Sequence, residues 1–342
     1  TGNFDGTKSG NSMFAGLIGN STKKVTLSNL VNKVDITVVG TFSGSSSTVN
    51  LSGIIGQFTT TNDSTITANN LTNEGDLTIG NAETPTSIGK NINLGGISGF
   101  YQKVDKFEAN TLTNKGALKV VNASITGNLN LGGVIGYAYK TLEVAGTWTN
   151  IGELTVEDSA INGEGVRFGG IIAYLLESMS CDNSCSLTNK GALQVSEVSV
   201  KGILNFGGVV GFNDESPIEA AGTWKNLGEL TVEDSEINNA VRFGGIIAYL
   251  GGILTCDENS SFTNNGAINI DETTIESTVW LGGVLGYGDY NCTAFNWTND
   301  EKGDISVTNT TTGKLNVGGV VGYAGTNVTI TNPLSIELEK DA

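Results

Sequence analysis

Apolar residues recur along this chain with two spacings. Over short stretches they alternate with polar ones: Leu154 and Val156 are separated by Thr155 and followed by Glu157. That is the pattern of a strand with one buried face. At longer range the same positions return about every 37 residues. The first apolar column reads Leu77, Leu118, Leu154, Leu193, Leu230, Ile268, Ile305, and the second reads Ile79, Val120, Val156, Val195, Val232, Ile270, Val307. Ile125, Ile161, Val200, Ile237 and Ile275 follow five residues later, and a bulky column (Leu71, Leu112, Trp148, Leu187, Trp224, Phe262, Trp297) precedes them. A fixed period of this length is the mark of a solenoid.

Glycine punctuates the repeat. A Gly-Gly-apolar-apolar-small-aromatic motif places its second glycine at Gly96, Gly133, Gly170, Gly208, Gly245, Gly283 and Gly319, with weaker copies at Gly16 and Gly53. Between these motifs lies Thr-Asn-x-Gly, whose Asn column is Asn73, Asn114, Asn150, Asn189, Asn226 and Asn264. An Asn two residues before a glycine predicts a turn with positive φ. Stacked turns predict a ladder of amides, each bonded to its equivalent in the next coil.

Each unit divides into three strand-like pieces, for example 131–137, 141–148 and 154–161. The expected fold is therefore all-β: a parallel β-helix (β-solenoid) of about nine ~37-residue coils, right-handed, with three strands per coil. Nine coils stacked about 4.8 Å apart make a rod of about 43 Å. A cut into two coils of about 18 to 19 residues per unit competes with this one. One coil is preferred because each column is homogeneous, as like stacked on like requires. WTNIGELTVEDS at 148–159 returns as WKNLGELTVEDS at 224–235, so the duplicated unit is two coils. Residues 1–90 read as degenerate N-terminal coils or a cap, 91–325 as the regular solenoid, and 326–342 as a C-terminal cap or the start of a following segment.

Composition narrows the function classes. The chain has 48 glycines, 3 prolines and a formal charge of −17, with Arg167 and Arg242 its two arginines. Such a charge repels phosphate backbones, so nucleic acid is not an expected partner. No apolar run is long enough for a transmembrane segment. The sequence contains no histidine, which excludes Ser-His-Asp and Cys-His nucleophile systems and imidazole metal sites. Neither a metal nor a cofactor is expected. Glu157, Asp158, Glu233 and Asp234 are the candidate acids for glycan cleavage, but they recur with the duplication, whereas a catalytic residue is normally single. Asp182-Asn183 and the run Cys256-Asp257-Glu258-Asn259 lack the ligand spacing of a known calcium loop. Thr59-Thr60-Thr61 and Thr310-Thr311-Thr312 do not recur, as an ice-binding face would require.

Four cysteines, Cys181, Cys185, Cys256 and Cys292, favour an oxidising compartment. Cys181 and Cys256 share a column two coils apart, beyond disulfide reach. The expected pairs are Cys181 with Cys185 and Cys256 with Cys292. Ten Asn-x-Ser/Thr sequons, at Asn20, Asn50, Asn62, Asn70, Asn122, Asn259, Asn291, Asn296, Asn309 and Asn327, are acceptors only in a glycosylating pathway.

The aromatic column Phe100, Tyr137, Tyr174, Phe212, Tyr249, Tyr287 and Tyr323 is the best functional candidate. It is either core or a platform for sugar rings or another protein, and periodicity does not decide which. The runs at 132–137, 207–212, 282–287 and 318–323 resemble the GLUG-motif repeats of bacterial and protist surface proteins. More distantly, they are similar to the β-helix repeats of chlamydial polymorphic membrane proteins. Units here are longer, and Ala173 and Ala248 replace the last glycine in alternate copies. The resemblance implies a secreted, extracellular or cell-surface β-helix used in adhesion. The expected function is a non-catalytic structural or adhesive solenoid whose partners are other proteins, surface glycans or a second copy stacked head to tail. A glycan-binding or glycan-cleaving β-helix is the alternative.

Overall fold

The computed structural model describes residues 2–22, 25–43, 48–59, 65–102, 106–300, 302–325 and 328–331, and every regular element among them is a strand. The strands stack in parallel: Leu118 pairs with Leu154, Leu154 with Leu193 and Leu193 with Leu230. Each partner lies one repeat unit away, so one unit is one coil, and the fold is a β-solenoid.

The coil from Leu118 to Asn150 shows the plan. Leu118–Val121, Ala123–Ile125 and Leu129–Gly132 lie in a broad sheet, Ile135–Ala138 in a narrow one, and Leu142–Val144 with Thr147–Asn150 in a third. The three sides expected of each coil are thus present as three sheets. Two of them are broken, giving six short strands. The break after Val121 falls at Asn122, in left-handed backbone with φ 48°. The narrow sheet has nine strands, one per coil, and hence eight steps from coil to coil. Units before residue 91 join the same ladders, since Gly2–Ser9 pairs with Ile36–Ser43 and Ser12–Ala15 with Val49–Ser52.

Two hydrophobic cores run the length of the rod. The broad sheet gathers one from the Leu, Val and Ile columns read in the sequence, together with stacked Phe168, Phe206 and Phe243. The narrow and third sheets enclose the other, which holds Ile135, Leu142, Met179 and the bulky column from Leu71 to Trp297, every member fully buried. Apolar burial on this scale is the main stabilising term of the fold.

The chain crosses between the two cores twice per coil, at Gly-Gly and at Asn-x-Gly, and these crossings touch. A Cβ on Gly133 would overlap Asn150; on Gly208, Asn226; on Gly245, Asn264. Only glycine fits there. The Asn side chains form the expected ladder and extend it at both ends: Asn32 donates to Asn73 at 2.7 Å, and each Asn from Asn73 to Asn264 donates to the next, as far as Asn299, at 2.8 Å. Each Nδ2 from Asn73 to Asn264 has a second acceptor two residues on, as in Asn114 to the Gly116 carbonyl at 2.9 Å. Buried amides therefore have both hydrogens engaged, as desolvation demands.

The expected positive φ at the glycine of that turn is corrected. Gly116 and its equivalents lie outside the left-handed region, and a Cβ on Gly116 would instead overlap the Gly75 carbonyl of the neighbouring coil. Left-handed backbone falls in another column, at Asn122, Asp158, Glu197, Asp234, Glu272 and Asn309, with φ between 45° and 54°. Asn and Asp adopt this conformation more readily than most side chains.

Candidate functional site

In the narrow sheet Ile135 and Ala138 enter the core, while Tyr137 faces outward and is half-buried. Ladder pairing carries that orientation along the coils, placing Phe100, Tyr137, Tyr174, Phe212, Tyr249, Tyr287 and Tyr323 in one column. The aromatic column is thus an outer stripe rather than core. Its rings do not lie flat on the surface. Tyr137 and Tyr174 stack at 4.5 Å with planes 2° apart, Phe212 and Tyr249 at 4.5 Å, and Tyr287 and Tyr323 at 4.6 Å. These pairs spend ring faces on neighbouring coils, whereas Tyr174 meets Phe212 edge to face at 5.1 Å.

A second outward column, from the broad sheet, runs beside it: Asn50, Asn93, Asn130, Arg167, Asn205, Arg242, Trp280 and Asn316. The Arg167 guanidinium lies over Tyr174 and Phe212 at 4.4 and 4.8 Å, and it donates to Asn130 Oδ1 at 3.3 Å. Arg242 repeats this over Tyr249 and Tyr287 at 4.2 and 4.9 Å, donating to Asn205 Oδ1 at 3.3 Å. Tyr174 donates to Asp214 at 2.9 Å and Tyr249 to Asp289 at 2.6 Å. The four-residue set Asn-Arg-Tyr-Asp therefore occurs twice, two coils apart. Sequence reading found the column and the duplicated arginines but not the two Asp partners, which lie 40 residues from their tyrosines.

Electrostatics in this stripe favour neutral phenols. Burial pushes the Tyr137 hydroxyl up to about 12, and burial with the Asp hydrogen bond pushes Tyr174 and Tyr249 higher still. Desolvation lowers the pKa of both arginines, while the tyrosines and aspartates around them act in the opposite sense.

The candidate acids lie elsewhere, at the outer end of a broad-sheet strand. Glu157 and Glu233 share one column with Ser196 between them, and Asp158 and Asp234 occupy the left-handed column with Glu197 between them. Glu197 is raised above the ordinary carboxyl range by a hydrogen bond to Asp158 and by repulsion from it, and Glu272 is raised in the same way by Asp234. The two calcium candidates hold their own loops instead: Asp182 accepts from Ser184, and Asp257 from the Asn259 amide. Among the described residues no group of three acidic, Cys or His side chains is placed to hold a metal ion.

A shallow groove of mixed polar and apolar lining lies along the third sheet. Its first section, about 510 Å³, is walled by Asn69, Asn110, Glu143, Asp182 and Ser184 and floored by Ala109, Val144 and Cys181. A section of about 290 Å³ continues from Cys181 past Glu219 and Asp257 to Cys256. Sequence reading missed this groove.

All four cysteines are buried thiols. Cys181 and Cys185 come together, while Cys292 pairs with Leu254 in the ladder, two positions from Cys256 on the neighbouring coil. Among the sequons Asn50 is buried, its amide donating to Gln57 at 3.0 Å. Asn20, Asn70, Asn259, Asn291 and Asn309 are exposed and Asn122 and Asn296 half-exposed, whereas Asn62 and Asn327 lie outside the described residues. No helix among the described residues is long and apolar enough to cross a membrane. No family model matches the chain, and neither does any curated protein or solved structure.

Proposed function

We propose that this chain is a non-catalytic structural or adhesive β-solenoid, working outside the cell on a cell surface or in a filament. One observation carries the reading: the side chains with the most distinctive chemistry are engaged by the next coil. The Asn ladder, the ring stack and the duplicated Asn-Arg-Tyr-Asp sets all bond along the rod axis. Repetition of this kind supports stiffness and display, while a catalytic centre needs a single convergent set. The resemblance to GLUG-motif surface repeats supports the same assignment.

Its partners are other proteins, surface glycans or a second copy. Electron microscopy of the native protein tests the main reading, with rods on a surface or in filaments expected. A dispersed monomer that releases reducing sugars from polysaccharide would overturn it.

The second reading, glycan binding, is favoured by the groove rather than by the tyrosine stripe. Stacking on a sugar needs an open ring face, and the paired rings turn faces to one another. A glycan array is the test: binding lost in Glu143→Ala and Asp182→Ala but kept in Tyr174→Phe supports the groove, and no binding at all dismisses this reading.

A further inference from the structure

The 181–185 loop joins the third-sheet strands Met179–Cys181 and Ser186–Asn189. Its bend is held by the Cys185 amide on the Asp182 carbonyl at 2.9 Å, and by the Asp182 carboxylate, which accepts from the Ser184 amide at 2.8 Å and its hydroxyl at 2.6 Å. With the loop so held, the two sulfur atoms stand 2.6 Å apart, closer than the van der Waals contact of two thiols, and both side chains are buried.

The duplication supplies an internal control. Two coils on, Cys256 stands where Cys181 does and Ser260 where Cys185 does. The bend is the same: the Ser260 amide bonds the Asp257 carbonyl at 3.1 Å, and the Asp257 carboxylate accepts from the Asn259 amide at 3.0 Å. There the second residue is held by hydrogen bonds alone, Ser260 Oγ donating to the Ala220 carbonyl at 2.6 Å and lying 2.9 Å from Asp257 Oδ1. The loop therefore takes its shape without a second sulfur. What the first copy adds is a thiol placed against its partner.

We propose that Cys181 and Cys185 are a disulfide-forming site that staples this loop on the wall of the third-sheet groove. The bond forms by exchange with a disulfide donor such as oxidised glutathione or an oxidised protein dithiol. One cysteine thiolate attacks a donor sulfur, forming a mixed disulfide and expelling one donor thiol; the other thiolate then attacks the mixed disulfide at its cysteine sulfur, closing the Cys181–Cys185 bond and expelling the second. Two protons and two electrons leave the pair, and the donor is reduced to two thiols. Burial pushes the Cys181 thiol well up, which disfavours the thiolate once the coil has closed. Exchange therefore belongs to the stage before the loop docks, and the finished bond is shielded. Exchange with Cys256 is excluded by position: Cys256 pairs with Ala220, so it lies two coils from Cys181, about 9.6 Å by ladder spacing, beyond disulfide reach.

The test uses the full chain refolded in a glutathione redox buffer, acid-quenched and alkylated. Cleavage before aspartate then separates Cys181 from Cys185 at Asp182. Two peptides held together until reduction, in most molecules, are expected. Both cysteines alkylated, or either one bonded to Cys256, Cys292 or glutathione, overturns the proposal. Cys185→Ser installs the residue its duplicate already carries, so it keeps the native circular dichroism and loses the linked peptides. A linked product surviving in that variant also overturns the proposal. In the folded wild type, reduction by dithiothreitol is expected at least about tenfold slower than in urea; equal rates contradict the shielded bond. These outcomes stand or fall independently of the adhesive reading, which is tested by imaging.

Discussion

Two of the polar ladders along this rod behave in opposite ways. The Asn ladder, buried between the two cores, stacks amide on amide at 2.7 to 2.8 Å. The acidic ladder, exposed at the outer end of a broad-sheet strand, stacks Asp158, Glu197, Asp234 and Glu272 in one left-handed column. An amide carries donor and acceptor together, so identical neighbours satisfy one another at every step. An ionised carboxylate only accepts, and identical neighbours repel unless a proton is shared. Like-on-like stacking thus stabilises only where the side chain complements itself, and the solenoid keeps the non-complementary column in water.

The largest expected effect comes from converting the first ladder into the second. Asn189→Asp removes the Nδ2 that reaches both Gly191 and Asn226, and places a carboxylate against the Asn226 oxygen in the buried seam. A loss of about 3–5 kcal/mol is expected from denaturant unfolding near neutral pH, the cost of an uncompensated buried charge. Part of it should return on acidification, because the protonated acid regains one donor. A neutral-pH loss no greater than that of a surface substitution would show that the seam is not a stability element.

Next comes the backbone against which that ladder rests. Gly208→Ala drives a methyl into Asn226 and the Gly245 carbonyl, neither of which has room to move within a stack. About 3 kcal/mol is expected by the same measurement, at the upper end of ordinary overpacking. The effect should not add fully to that of Asn189→Asp, since the two sites share the Asn226 side chain. Full additivity would mean that the glycine column and the Asn ladder are not one unit.

That coupling also marks the limit of what the sequence made legible. Period, inward columns, bulky column and Asn ladder were all readable, because each repeats a residue type at a fixed offset. The contact between Gly133 and Asn150 was not, although both columns were known, since nothing local says that the two crossings meet. Tyr137 was ambiguous because the Gly-Gly bend interrupts the alternation that assigns faces. The recurrence of the acids was readable, but not that Asp158 and Asp234 occupy positions of left-handed backbone.

The outer stripe offers an intermediate case, neither buried amide nor free acid. Tyr174→Ala deletes a ring stacked on Tyr137 at 4.5 Å and capped by Arg167 at 4.4 Å, together with the hydrogen bond to Asp214. For a half-buried side chain about 2 kcal/mol is expected. Were the stripe mainly a binding platform, the same change would abolish ligand or partner binding while leaving the melting temperature unmoved.

The smallest effect is on the acidic ladder, and its sign separates the two columns most cleanly. The hydrogen bond to Asp158, followed by repulsion from it, raises the folded-state pKa of Glu197 above its unfolded value. The folded chain therefore binds this proton more tightly than the unfolded one. Its contribution is fully present below the unfolded carboxyl pKa and is lost as pH rises through the raised one. Glu197→Gln supplies at every pH the donor that the protonated acid supplies only in acid. The variant should melt above wild type at pH 7 and level with it in acid, the gap opening as pH rises through the upper carboxyl range. Salt should narrow the gap at neutral pH, because the column is exposed and its repulsion is screened. A variant that melts lower than wild type at pH 7 would mean that the carboxylate column stabilises the rod as the amide column does, and the distinction between self-complementary and self-repelling ladders would fail.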